Sequence, residues 1–177
     1  MAHFAQSPSF ILHQVTCQFA TGDTLFGPLN LTLDASPCAL VGRNGSGKTR
    51  LLRLLAGIDE PEHGHIERFG THAYVAQQHE ISSQTTLAEL LGYDAIFAAR
   101  KRIDSGDYQP EDLEKLDGKW DLAERLSEAF MNAHLPLFDP DKPARELSGG
   151  ERIRALLCGA FTADADFLLL DEPTNHL

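Results

Sequence analysis

An α/β fold is predicted, with an antiparallel β layer, a parallel-sheet core and a helical subdomain, from three features of the 177-residue sequence. First, residues 37–41 are a short apolar run, 42–49 a glycine-rich loop and 49–56 an amphipathic run closed by Gly57, which reads as strand, loop and helix. Second, residues 9–19 and 25–33 cluster or alternate apolar side chains around the turn 20–24, so two paired strands precede the loop. Third, Phe167-Leu168-Leu169-Leu170 is uninterrupted apolar, as in a parallel strand buried on both faces, and runs into Asp171-Glu172-Pro173.

The remaining elements come in chain order. Residues 59–64 form a turn, and 65–69 with 72–76 read as a hairpin about Gly70-Thr71, with Gln77-Gln78 at its exit. Thr86-Leu87-Ala88-Glu89 has capping-box form, and Leu87, Leu90, Leu91, Ile96 and Phe97 continue at helical spacing. Pro110 opens a second helical stretch carried on by Leu116, Trp120, Ala123, Leu126 and Phe130, with Trp120 expected in its core. The helical subdomain spans about 84–146. With no internal repeat or flexible linker, 1–177 reads as a single domain. Ser148 and Glu151 give a further capping box ahead of a helix over 152–161.

Composition narrows the function classes. Hydrophobic residues make up 42%, ordinary for a globular protein, and no apolar run reaches the ~20 residues of a membrane span. The first residues lack a signal-peptide layout, which predicts a cytoplasmic protein without membrane insertion. A net charge of −11 argues against a simple nucleic-acid binder. Its acid concentrates between Asp104 and Glu128, read as a solvated helical face, while the basic cluster Arg100-Lys101-Arg102 reads as complementing a helix C-terminus. Cys17, Cys38 and Cys158 are far apart among apolar residues and read as buried thiols. His63 and His65 lie on a turn with no Cys or His partner at ligand spacing, and are expected to be exposed polar residues rather than metal ligands.

The loop carries the chemistry. Gly42-Arg43-Asn44-Gly45-Ser46-Gly47-Lys48-Thr49 fits a glycine, four free positions, then Gly-Lys-Thr, the P-loop pattern. Its glycines let backbone N–H groups curl round phosphate oxygens, the helix N-terminus adds partial positive charge, Lys48 reaches the β/γ-phosphates and the Thr49 hydroxyl can ligate Mg²⁺. Asp171 suits Mg²⁺ held through water, and Glu172 suits orienting or deprotonating an attacking water. Two glycines, Gly149 and Gly150, at a helix start are costly unless the backbone must approach another molecule.

GRNGSGKT, LSGGE and LLLDEPTNHL, in that order, resemble the nucleotide-binding domain of ATP-binding cassette (ABC) proteins over nearly the whole chain. Thr174-Asn175-His176-Leu177 and the glutamate of LSGGE further resemble the ABC-F branch, soluble proteins with two cassettes in one chain, many of which act on ribosomes. The resemblance implies the P-loop NTPase fold of ABC ATPase type, with ATP and Mg²⁺ as cofactors. It implies that Phe19 stacks on adenine and that Asn44, Gly45, Ser46, Gly47, Lys48 and Thr49, with Gly42 and Arg50 beside them, hold the nucleotide. Gln77, with Gln78 the alternative, would contact Mg²⁺ and the attacking water. Ser148, Gly149 and Gly150 would complete a different ATP site, held by a second cassette.

In the family pattern the chain continues past Leu177 with a further strand and a switch histidine, so the resemblance makes 1–177 the front part of a longer protein, truncated on its C-terminal side and inactive alone. Three readings stand: an ABC-F ATPase with the ribosome as candidate partner, the ATP-binding subunit of a membrane transporter, and a non-catalytic nucleotide-binding fragment.

Overall fold

The computed structural model describes residues 7–76 and 82–172, which divide into two compact units: 7–76 with 165–172, and 82–164. In the first, β1 (Ser9–Gln18) is the centre of a three-stranded antiparallel sheet between β2 (Thr24–Asp34) and β3 (His63–Phe69). The alternation read in the sequence is the pleat itself: Phe10, Leu12, Val15 and Cys17 are buried at 2% exposure or less, while the residues between them face out. Against that face packs α1 (Lys48–Leu55) through Leu54 and Leu55. A second, parallel sheet pairs β4 (His72–Val75) with β5 (Phe167–Leu170), and Leu169, Tyr74 and Phe167 join the same core.

The expected β3–β4 hairpin does not form. β3 pairs antiparallel with β1, whereas β4 pairs parallel with β5 in the register His72↔Phe167 to Val75↔Leu170. Gly70, at φ +100°, turns the chain between sheets, and Asp166 anchors the entry to β4: its Oδ2 accepts from Thr71 N (2.8 Å) and Thr71 Oγ1 (3.0 Å). Those bonds hold the Asp166 carboxyl below the usual carboxylate range. β5 is parallel as expected but only Leu169 on it is buried.

A second departure is the segment 37–41. It joins no ladder, and Leu40 (47%) and Val41 (86%) are exposed. An apolar run becomes a strand only where neighbouring strands satisfy its backbone, and no described strand pairs with it. Cys38 is exposed for the same reason, against expectation, whereas Cys17 is buried and Cys158 half-buried.

The second unit is helical: α2 (Leu87–Leu90), α3 (Asp94–Ser105), α4 (Pro110–Leu116), α5 (Leu122–Asn132) and α6 (Gly149–Thr162), with a 3₁₀ turn at Ala144–Glu146. Thr86 caps α2 through Glu89 N, and Ser148 caps α6 through Glu151 N, both with reciprocal capping boxes. The long helix read from Pro110 onward is broken after Leu116, where Gly118 takes φ +67°. Trp120 therefore falls in the connecting turn, is 48% exposed and lies outside the core, which Leu116, Leu122, Leu126 and Phe130 fill instead. Its carbonyl accepts from Arg100.

The acidic face has one exception. Asp112 is buried, bridged by Arg102 through Nε (2.9 Å) and Nη2, and it accepts from Gln109 N. Arg102 first, then the Gln109 amide, hold its carboxyl far below the usual range. A depressed carboxylate contributes stability that is full above its unfolded pKa, near 4, and is lost as pH falls through that region toward the folded value. Urea unfolding should therefore show Asp112→Asn destabilised at pH 7, with the difference from wild type narrowing between about pH 5 and pH 3.

Candidate functional site

The loop 42–47 is shaped by its glycines. Gly47 stands at φ +93° at the head of α1, and a Cβ there would lie 2.7 Å from the Phe26 ring of β2. A Cβ on Gly42 would lie 2.7 Å from Ser46 Oγ. At Gly47 the loop leaves no room for a side chain, whereas at Gly42 the close atom is a rotatable hydroxyl. Gly47→Ala should cost about 2 kcal/mol or more in a denaturant titration, from the left-handed backbone and the crowded Phe26 ring together.

Lys48, the first residue of α1, folds back over this loop. Its Nζ donates to the carbonyls of Gly42 (3.2 Å) and Arg43 (3.3 Å) and lies 3.7 Å from Glu172 Oε1. The first N–H groups of α1, on Lys48, Thr49 and Arg50, have no intrahelical acceptor by construction and point out of the helix start. A depression of about 570 Å³ opens above them, lined by Asn44, Gly45, Gly47, Lys48, Thr49 and Arg50 together with Phe19 and Glu172.

Phe19 sits at the β1–β2 turn, closed by Phe19 N to Asp23 O and Gly22 N to Phe19 O, and its ring is 51% exposed. Arg50 also lines the depression, and its guanidinium is engaged by Asp59 Oδ2 (2.6 Å), Glu62 Oε1 (3.3 Å) and Cys17 Sγ (3.2 Å), with Asp59 and Arg53 lining the same depression. Arg53, hydrogen-bonded to the same Asp59, holds that carboxyl below its ordinary value, and burial pushes the Cys17 thiol up.

Strand β5 delivers the two carboxylates. Asp171 is 2% exposed, its amide bonds Val75 O across the parallel ladder, and its Oδ2 is buried without a hydrogen-bond partner among the described residues. Burial, and then the Asp171 charge, raises the Tyr74 hydroxyl above its usual range. The Asp171 carboxylate and the Thr49 hydroxyl are oxygen donors of the kind Mg²⁺ takes, although Asp171 is not among the residues that line the depression and the Tyr74 hydroxyl lies beside it. Glu172 adopts φ +49°, a backbone state uncommon for a residue with a side chain, and this turn directs it to the depression.

The other expected positions are distributed differently. Ser148, Gly149 and Gly150 open α6 in the second unit, with Ser148 and Gly149 exposed and open space where a Cβ on Gly149 would stand. Gln77 and Gln78 fall outside the described residues, as does the segment 173–177. Missed from the sequence was the structural role of Arg50; Asp59 and Glu62, nine and twelve residues on, were the signal, once the turn after α1 is recognised as returning acid to it.

The sequence model of the family described as "ABC transporter" matches residues 27–175, most of the chain, including both the loop and the β5 carboxylates. The chain belongs to the ABC transporter family. Among curated relatives, the ATP-binding protein Uup of Caulobacter vibrioides is 37% identical, over all of this chain and 25% of that protein. The energy-dependent translational throttle protein EttA of Mycobacterium tuberculosis is 33% identical, over 84% of this chain and 30% of its own length. The aliphatic sulfonates import ATP-binding protein SsuB of Granulibacter bethesdensis is 36% identical, over 95% and 61%. The chain thus spans about a quarter to three fifths of these relatives. A solved structure titled an inward-facing conformation of a putative metal-chelate type ABC transporter superposes with TM-score 0.64 at 24% identity, covering 97% of this chain and 63% of that one, and shares the P-loop ABC ATPase fold. No helix among the described residues is long and apolar enough to cross a membrane.

Proposed function

We propose that this ABC-family chain binds ATP with Mg²⁺ in the depression above α1 and hydrolyses it when a second cassette closes the site. The observation that carries the reading is the convergence of Lys48 and Glu172, 3.7 Å apart, at a depression also lined by Gly45, Gly47, Thr49 and Phe19. Lys48 and the α1 N–H groups would hold the phosphates, Phe19 would stack on adenine, and Thr49 and Asp171 would hold Mg²⁺, which supplies charge neutralisation at the transferring phosphoryl group. Glu172 would align the attacking water and accept its proton, and Gln77, or Gln78, would meet the same water. Calorimetric titration with ATP and Mg²⁺ tests the reading: one site per chain supports it, and no saturable binding overturns it.

Ser148, Gly149 and Gly150 would serve a nucleotide held by the other cassette, a role supported by the exposure of Ser148 and Gly149 and by the open space over Gly149. Because that space is open and Gly149 has no positive φ, Gly149→Ala should stabilise the chain by about 0.4–1 kcal/mol in urea unfolding. The same variant should weaken ATP-dependent pairing of cassettes in sedimentation. A glycine kept only for folding would give the opposite sign in the first experiment.

The finer reading is a cytoplasmic ABC-F protein that acts on ribosomes, supported by the similarity to EttA and Uup. The acidic surface of α4 and α5 leaves ribosomal RNA contact to other parts of the protein. Similarity to SsuB favours the second reading, a transporter's ATP-binding subunit. Co-sedimentation of the whole protein with ribosomes, against co-purification with a membrane permease, separates the two.

A further inference from the structure

The outward face of the antiparallel sheet carries a second cluster of ligating groups. His13 on β1 stands directly opposite His65 on β3, and Glu67, two residues on, shares the face of His65. This partner for His65 was invisible in the sequence, where 52 positions of chain separate the two histidines. The imidazoles stack with centroids 4.6 Å apart at 19°. His13 Nε2 lies 3.1 Å and His65 Nε2 3.7 Å from the same Glu67 Oε1, and one ligand atom from each residue falls within 4.8 Å of the others.

The backbone is built to bring the pair close. Gly64, at φ +83°, lies flat on β1, where a Cβ would stand 2.2 Å from His13 O and 2.5 Å from the Gln14 carbonyl. Gln14 itself takes φ +51° at a break in register between His13 and Thr16, and such bulges re-aim the neighbouring side chain. His13 Nε2 is shielded from solvent, yet its approach to Glu67 is not aligned as a hydrogen bond. Both imidazoles thus gather at one Glu67 oxygen.

We propose that His13, His65 and Glu67 bind a divalent transition-metal ion such as Zn²⁺ on this face. Two imidazoles and a carboxylate suit Zn²⁺, Ni²⁺ or Cu²⁺, whereas Mg²⁺ takes oxygen ligands and prefers the phosphate-loop site. Ligand atoms around a tetrahedral ion with bonds of about 2.1 Å stand about 3.4 Å apart; the two histidine–Glu67 separations, 3.1 and 3.7 Å, bracket that spacing, and all three groups lie within 4.8 Å of one another. Three protein ligands leave the fourth position for water. Bound there, the ion pins β3 against β1 on the face opposite the core.

Calorimetric titration of tag-free protein with ZnCl₂, with Mg²⁺ in large excess and no nucleotide, tests the site independently of ATP binding. One Zn²⁺ per chain is expected, with affinity falling about 10–100-fold or more in each of His13→Ala, His65→Ala and Glu67→Gln, since even outer-shell partners are worth that much. His63→Ala, on the same strand but outside the cluster, should bind as wild type. The proposal is overturned if no saturable Zn²⁺ binding is seen, if binding survives Glu67→Gln and His65→Ala undiminished, or if His63→Ala abolishes it equally.

Discussion

Lys48→Ala is expected to weaken ATP binding about 100-fold while leaving the fold intact. The ammonium is held over the loop, and charge-assisted contacts of this kind to a phosphate are worth about 2–4 kcal/mol when desolvated. Its hydrogen-bond partners are the carbonyls of Gly42 and Arg43, which accept two of its three protons, with Glu172 Oε1 3.7 Å away. An arriving phosphate competes for the same protons. Those carbonyls lie on exposed loop, so losing their donor costs little stability, and thermal unfolding of the variant should match wild type within about 2 °C. Calorimetry with ATP reads the binding loss. Lys48→Arg should not restore it, because the longer planar guanidinium does not fit the space the ammonium occupies against the loop.

Glu172→Gln should separate binding from turnover. The amide keeps the shape but loses the ability to accept a proton, so hydrolysis by the whole protein should fall about 10²–10⁴-fold, the usual worth of a positioned general base. ATP affinity should hold or rise, because a carboxylate 3.7 Å from Lys48 competes with phosphate for the ammonium and repels the nucleotide's charge. A steady-state phosphate-release assay beside equilibrium binding reads both. If hydrolysis persisted at the wild-type rate, the base would have to be sought elsewhere, with Asp171 the first candidate.

Much of this site is legible in the sequence because its parts are local. The loop's glycines, Lys48 and Thr49 are contiguous; the alternation of β1 reports its own burial; and Ser148 and Glu151 announce the α6 cap three residues apart. What was misread depends on partners distant in the chain. β3 and β4 look like a hairpin because a glycine lies between them, but they pair with β1 and β5, and Asp166, 95 residues after Thr71, holds the entry to β4. Residues 37–41 are apolar enough for a buried strand, yet apolarity does not supply hydrogen-bond partners, and the segment stays irregular and exposed. Trp120 fits the helical period, but Gly118 breaks that helix before the period can place it. Asp112 looks like one more surface acid until Arg102 meets it from a different helix. The sequence pattern carries the elements, while pairing and packing are settled between residues that no short window contains.

Photo-crosslinking with 8-azido-ATP and Mg²⁺ reports where the nucleotide lies. Label is expected in the peptide that carries Phe19, suppressed by excess unlabelled ATP and lost in Lys48→Ala. Label confined to other peptides, or label at Phe19 that survives both the competitor and the Lys48 substitution, would contradict ATP binding in the depression above α1.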